Sequence, residues 1–111
     1  MNKAEFFEAA QAKVVERPVP VICNHVKFRV MTGTARDEFF RVVEEGDKTN
    51  SHFEAAIVLA TVVNDDHSPM FSAEDVQALR ETDANALTAV AQIAMQVNKI
   101  GAKAEAEAAK N

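Results

Sequence analysis

The chain has 111 residues, of which 48% are hydrophobic, and a formal net charge of −5. This length suits one domain with a real core and is short for two. The acidic balance and the lack of a Lys/Arg cluster argue against a nucleic-acid module, because phosphate binding needs clustered cations. No stretch approaches the roughly 18 apolar residues of a membrane span, and the start "MNKAEFFEAA" is unlike a signal peptide. We therefore expect a soluble, intracellular protein.

The first predicted element is a short helix over about residues 2 to 13. Phe6, Phe7 and Ala10 recur on one side of it, whereas its glutamates and Lys13 lie on the other sides. We therefore expect the two phenylalanines to pack into the core.

The stretch "RPVPVICNHVKFRVMTG" predicts a β-hairpin over about residues 14 to 32. Asn24 and His25 separate two runs of similar length, and we expect them to form a two-residue turn. The resulting apolar pairs are Cys23 with Val26, Val21 with Phe28, and Val19 with Val30. One face of the hairpin is then apolar and must lie on helices. Cys23 is expected to be a buried thiol, as suits a reducing cytoplasm.

The two edges of this hairpin differ. Pro18 and Pro20 fall at non-hydrogen-bonded pairs, so their missing N–H groups blunt the outer edge of the first strand. Lys27 and Arg29 lie on the second strand, whose outward N–H groups remain. That second edge needs a cover or a partner.

Two capped helices are predicted next. Thr34 is expected to cap the second helix, with Asp37 near its positive end, and Gly46 to end it. Its apolar stripe consists of Ala35, Phe39, Val42 and Val43. A capping box of Ser51 and Glu54 should open the third helix. Because "HFEAAIVLATVV" is apolar nearly all round, this helix is expected to be central.

Residues 64 to 69 form a predicted turn, after which two further helices follow. Ser72 with Asp75 should cap the fourth helix, which reaches about Leu79. Thr82 should cap the last helix, which runs to Gly101. Its apolar stripe consists of Leu87, Val90, Ala91, Ala94 and Val97. The ending "AKAEAEAAKN" has no apolar stripe and is expected to be a mobile tail.

The pattern as a whole predicts an α+β fold that is mostly α: a short N-terminal helix, one hairpin and about four helices. We expect residues 1 to 101 to form a single domain and residues 102 to 111 to form the tail. No spacing typical of a zinc site or a phosphate-binding glycine loop is present, so we expect no metal and no cofactor.

Catalysis has few candidate residues. The turn of Asp65, Asp66 and His67 could bind a cation through its carboxylate oxygens, but no loop glycine or second acid group follows at calcium-loop spacing, so a solvated turn is favoured. Cys23 as a nucleophile would need an exposed, electropositive setting, which a core-facing strand position does not give. We therefore expect no enzyme activity.

Protein binding is the function class that remains. The candidate contacts are the two cations of the second strand and three methionines: Lys27, Arg29, Met31, Met70 and Met95. Methionines are soft and adaptable at interfaces, although methionine at helical spacing also fits an ordinary core, and both interpretations stay open.

The order of these parts resembles the small tail assembly chaperones of long-tailed bacteriophages and prophages, chiefly over residues 34 to 98. The helix opening of that family is matched by Thr34, Ala35 and Asp37. The acidic turn and the following cap are matched by Asp65, Asp66, Phe71 and Ser72. The closing helix is matched by Leu87, Val90, Ile93, Val97 and Asn98.

The resemblance implies a non-catalytic protein of the bacterial host cytoplasm that binds the tape measure protein during virion morphogenesis. It also implies absence from the mature virion. A frameshifted longer form of the chain and other tail proteins are further partners that it suggests, and self-association stays open. Neither nucleic acid nor a membrane is an expected partner.

Two rival hypotheses remain from the sequence. The first is a phage structural protein, such as a head–tail connector or a tail-completion component, which would be retained in the virion. The second is a small enzyme that uses Cys23 or the Asp65, Asp66 and His67 cluster.

Overall fold

A computed structural model describes residues 1 to 101, and the predicted tail lies outside the described residues. Its elements are α1 (Lys3–Ala9), β1 (Val14–Val19), β2 (Asn24–Arg29), α2 (Gly33–Glu45), α3 (Asn50–Thr61), β3 (Val62–Val63), α4 (Val76–Arg80) and α5 (Ala84–Val97). Short 3-10 helices lie at Pro20–Ile22 and Ala73–Asp75. The predicted α+β, mostly α fold is confirmed.

The hairpin is confirmed, but its predicted turn and register are wrong. The turn is the 3-10 helix that begins at Pro20, whose fixed φ suits the first helical position. Cys23 ends this turn at φ 54°, and Val19 pairs with Asn24. Phe28 therefore pairs with Val15, six residues away from its predicted partner. An even shift keeps each side chain on its face of the sheet, so Val19 and Phe28 are still buried.

Cys23 is exposed, which corrects the prediction of a buried thiol. The reason is the turn itself. Because Cys23 lies in the connection, where its N–H donates to the carbonyl of Pro20 at 3.0 Å, it takes no part in the strand pairing. Its neighbours Val21 and Ile22 are likewise exposed, by 49% and 43%.

The outer edge of β2 is covered in part by β3, which the sequence did not predict. The N–H of Val30 donates to the carbonyl of Lys13 at 2.8 Å, so every second N–H group of this strand points toward β1. The N–H groups of Lys27 and Arg29 therefore point away from β1, as predicted. Lys27 pairs there with Val63, and the sheet order is β1-β2-β3. At these residues β3 supplies the cover that this edge was expected to need, so the edge is not free to pair with another chain there.

The central position of α3 is confirmed. Eight of its residues are buried, and it packs against α2, α4 and α5. Among residues 1 to 101, the largest fully buried apolar side chains are Val19, Phe28, Phe39, Phe53 and Ile57. Phe39 of α2 contacts Phe53 of α3 edge to face, with ring centroids 5.5 Å apart. The stripes of α2 and α3 thus meet in one core, as their spacing indicated.

Three predicted caps are wrong by one or two residues. The helices are capped by Thr32, Thr49 and Asp83 instead of Thr34, Ser51 and Thr82. In each case a neighbouring residue of equal capping ability reaches the free N–H groups, as when Thr49 Oγ1 accepts from the His52 N–H at 3.3 Å. Gly46 ends α2 as predicted. The predicted Ser72–Asp75 capping box is present, but it opens the 3-10 helix Ala73–Asp75 that precedes α4.

The first helix is shorter than predicted, and its phenylalanines do not enter the core. α1 has no buried residue, and Phe6 and Phe7 are 55% and 66% exposed. Their rings contact each other edge to face at 5.8 Å. The spacing of apolar residues predicted a side of α1 that packs into the core. The helices that cover the sheet come from later in the chain, however, and α5 packs on both β1 and β2.

Candidate protein-binding site

An apolar cavity of about 410 Å³ lies beside the hairpin turn, between β2, β3 with its following loop, and the helices α4 and α5. We call it the turn cavity. Its lining is mostly aliphatic and includes Ile22, Val26, Val62, Met70, Leu87 and Val90. Its volume falls within the range of about 300–1,000 Å³ that is typical of ligand-sized clefts. Several large apolar side chains of a partner could therefore be accommodated here.

Two exposed apolar side chains mark the mouth of the turn cavity. Ile22 is held there by the 3-10 turn, and Met70, which is 45% exposed, follows Pro69 in the loop after β3. The N–H of Met70 donates to the carbonyl of Val62 at 3.2 Å, which fixes the loop against β3. The mouth is thus built on hydrogen-bonded backbone.

Charged residues also line this cavity. Lys27 Nζ lies 3.5 Å from Asp65 Oδ1, and Glu16 lies on the neighbouring strand. Because the Asp65 side chain is fully exposed, the ion pair contributes little to stability. Two carboxylates and one ammonium group therefore surround an apolar interior.

The Asp65, Asp66 and His67 turn is stabilised within itself. The hydroxyl and the N–H of Ser68 donate to Asp66, and these hydrogen bonds lower the pKa of that carboxyl. His67 adopts the left-handed region at φ 71°, as residues of tight turns do. Within residues 1 to 101, no three His, Cys, Asp or Glu side chains are grouped so that they could hold a metal ion.

The five sequence-predicted contact residues do not form one surface. Lys27 and Met70 meet at the turn cavity. Arg29 instead donates its Nε–H to the carbonyl of Ala60 at 2.7 Å, and Met31 is half-buried, with its N–H donating to Asn98 Oδ1 at 2.8 Å. Met95 is buried, which agrees with the interpretation that its side chain is part of the ordinary core. The structure therefore brings two of the five together.

Ile22 was missed by the sequence interpretation as a site residue. A turn at Asn24 and His25 would leave Ile22 inside the first strand, whereas the structure places it in the 3-10 turn. Pro20 carried a usable signal, because proline favours the first position of a helical turn. Val62 and Val63 were included in the predicted third helix, because no glycine or proline marks the boundary between that helix and the two-residue strand.

A second cavity, of about 280 Å³, lies between α2, α3 and the loop before α4. Arg41 at this cavity bonds to both Glu38 and Glu45, and its hydrogen bond lowers the pKa of the Glu38 carboxyl. This cavity is the smaller of the two, and its charged lining residues Glu38 and Arg41 pair with each other.

The exposed position of Cys23 does not by itself make a catalytic site. A cysteine nucleophile needs a base within about 3.2 Å. Among the described residues, no hydrogen bond joins the Cys23 thiol to a histidine. The same part of the chain has no helix with the length and apolar run that crossing a membrane requires.

The fold is similar to that of a solved protein, the tail assembly chaperone of bacteriophage HK97. The match covers 87% of this chain and 95% of that chain, with a TM-score of 0.59 and 19% sequence identity. No family model matches the sequence, and no curated protein matches it either. The predicted resemblance to phage tail assembly chaperones is thus confirmed at the level of the fold.

Proposed function

We propose that this protein is a non-catalytic phage tail assembly chaperone that binds the tape measure protein during tail morphogenesis. The observation that carries the proposal is the fold similarity to the HK97 chaperone over nearly the whole of both chains. The turn cavity supports it, because an apolar cleft with exposed Ile22 and Met70 at its mouth is suited to holding another polypeptide.

A chaperone of this kind acts by mass action. It binds the aggregation-prone form of its client and lowers the free concentration of that form, so moderate affinity with many copies suffices. The proposal places the protein in the host cytoplasm during assembly and outside the finished virion. A longer frameshifted form of the chain and other tail proteins are further proposed partners.

The experiment is co-expression with the tape measure protein of the same phage. We expect the soluble fraction of the tape measure to rise with this chain and to be recovered with it on an affinity tag. An acidic helical protein of similar size, expressed at the same level, is the control. Equal tape measure solubility in both cultures would contradict the proposal.

Mass spectrometry of purified virions tests the second part. A chaperone is expected to be missing from virions that contain the tape measure protein. Stoichiometric recovery of this chain in virions would instead identify a structural tail or connector component.

A further inference from the structure

We propose that the turn cavity binds one face of an amphipathic helix of the client, with large apolar side chains in the cavity and a basic residue beside the acidic mouth. This inference rests on the proposed client-binding function. It names the chemistry of the bound segment and the surface that binds it.

The apolar part of the argument is the combination of volume, lining and exposure. The cavity interior is aliphatic, and its walls come from three separate parts of the chain, so the shape does not depend on one loop. Ile22 and Met70 extend the apolar surface outward to solvent. An amphipathic helix can place apolar side chains at positions i, i+4 and i+7 into such a cleft.

An extended segment would find little to pair with at this place. β3 already pairs with Lys27 and Phe28, and the N–H of His25 is bonded to Asn24 Oδ1 at 2.8 Å. Strand addition needs a run of free backbone groups. A helix satisfies its own backbone and is therefore the better occupant.

Charge determines which helix fits. Glu16 and Asp65 line the cavity together with Lys27, which lies opposite Glu16 in the sheet and 3.5 Å from Asp65, so one carboxylate remains in excess over the single ammonium group. Glu16 is exposed, and Asp66 adds a further carboxylate next to Asp65. A basic residue flanking the apolar face of the client would complement this mouth, whereas an acidic residue would be repelled.

Segments of this chain match these requirements poorly. α1 carries Lys3 against Glu5 and Glu8, so its charge has the same sign as the mouth. Residues 102 to 111 contain no apolar side chain larger than alanine. The occupant is therefore assigned to a client.

The test uses two labelled helical peptides of about 18 residues with leucine at i, i+4 and i+7. One carries lysine beside the leucines and the other carries glutamate. Fluorescence anisotropy should show the lysine peptide binding wild-type protein about tenfold more tightly than the glutamate peptide. A third peptide with the sequence of residues 1 to 13 tests whether a second copy is the occupant.

Matched variants locate the site. Ile22→Asp should weaken binding of the lysine peptide about tenfold, whereas Phe40→Asp, at a side chain of similar exposure on α2, should leave it unchanged. Glu16→Lys should reverse the preference between the two peptides, and the exposed Glu44→Lys should not. Circular dichroism of each variant verifies that it is folded, and Glu16→Lys tests the site without touching an apolar side chain.

Three results would overturn the inference: equal binding of both peptides, equal loss in Ile22→Asp and Phe40→Asp, or tighter binding of the peptide of residues 1 to 13. The proposed function fails separately. If Ile22→Asp and Glu16→Lys still keep the tape measure soluble, the site is wrong and the chaperone function stands. If wild-type protein binds the lysine peptide but does not keep the tape measure soluble, the function is wrong and the site stands.

Discussion

The helices α1 and α3 both begin at a residue whose side chain caps the helix, but α1 is exposed to solvent and α3 lies in the core. α1 has a complete capping box, in which Asn2 and Glu5 bond to each other's backbone, whereas α3 has the single cap of Thr49. Nevertheless α1 has no buried residue and α3 has eight. A cap therefore determines where a helix begins, whereas tertiary packing supplies most of its stability. A helix of seven residues without such packing is marginal in water.

The largest expected effect comes from the buried phenylalanine of α3. Phe53→Ala should lower the free energy of unfolding by about 3–5 kcal/mol, because it leaves a cavity against Phe39 and removes their ring contact. Urea denaturation at pH 7 measures this. A loss below about 1 kcal/mol would mean that α3 is not the centre of the core and would end the contrast with α1.

The second effect tests how tightly the end of α2 fits the start of α3. A Cβ atom at Gly46 would overlap the ring of His52, which is buried and lies 3.1 Å through Nε2 from the carbonyl of Val42. Gly46→Ala should therefore lower the free energy of unfolding by about 1–3 kcal/mol.

Gly33→Ala is the matched control for that variant. Nothing lies within 4 Å of a Cβ at Gly33, and its substitution should leave stability unchanged or slightly raised. Equal midpoints for the two variants in urea would show that the α2–α3 connection has room to rearrange.

Removing the N-terminal cap of each helix should affect α3 and α1 differently. Thr49→Ala should lower the free energy of unfolding by about 1 kcal/mol, because it frees an N–H of the central helix. Asn2→Ala removes the cap of α1 and should leave the urea midpoint unchanged, because α1 opens independently of the core. Amide hydrogen exchange should show low protection of residues 3 to 9 in wild type and in Asn2→Ala. A midpoint shift for Asn2→Ala would mean that α1 contributes to global stability.

Long, strongly patterned elements were the ones that sequence reasoning could predict. The apolar pattern of "HFEAAIVLATVV" indicated a central helix, and alternation around Phe28 indicated a strand. Both elements are confirmed. They were predictable because a helix buried on all sides is apolar throughout, whereas a strand buried on one face alternates apolar and polar residues. The caps of α2, α3 and α5 were misplaced because adjacent threonine, serine and aspartate residues compete for the same N–H groups.

Turn chemistry and short strands account for the larger errors. Asn24-His25 was chosen as the turn by symmetry of the flanking runs, whereas Pro20 and the left-handed Cys23 form it. The two residues of β3 are too few to show a period, and they follow a helix without a break. The turn cavity depends on both features, which explains why Ile22 was not predicted as a contact.

The smallest expected effect on stability comes from the exposed phenylalanines of α1. Phe6→Ser and Phe7→Ser should each change the free energy of unfolding by less than about 0.5 kcal/mol, since both side chains are more than half exposed and their rings contact each other. Phe39→Ser, at a residue 2% exposed, is the matched control and should cost several times more. Urea denaturation of the three variants, in parallel with wild type, decides the matter. If Phe6→Ser destabilised the chain as strongly as Phe39→Ser does, α1 would be packed on the core in solution, and the difference between the two helices would reduce to their length.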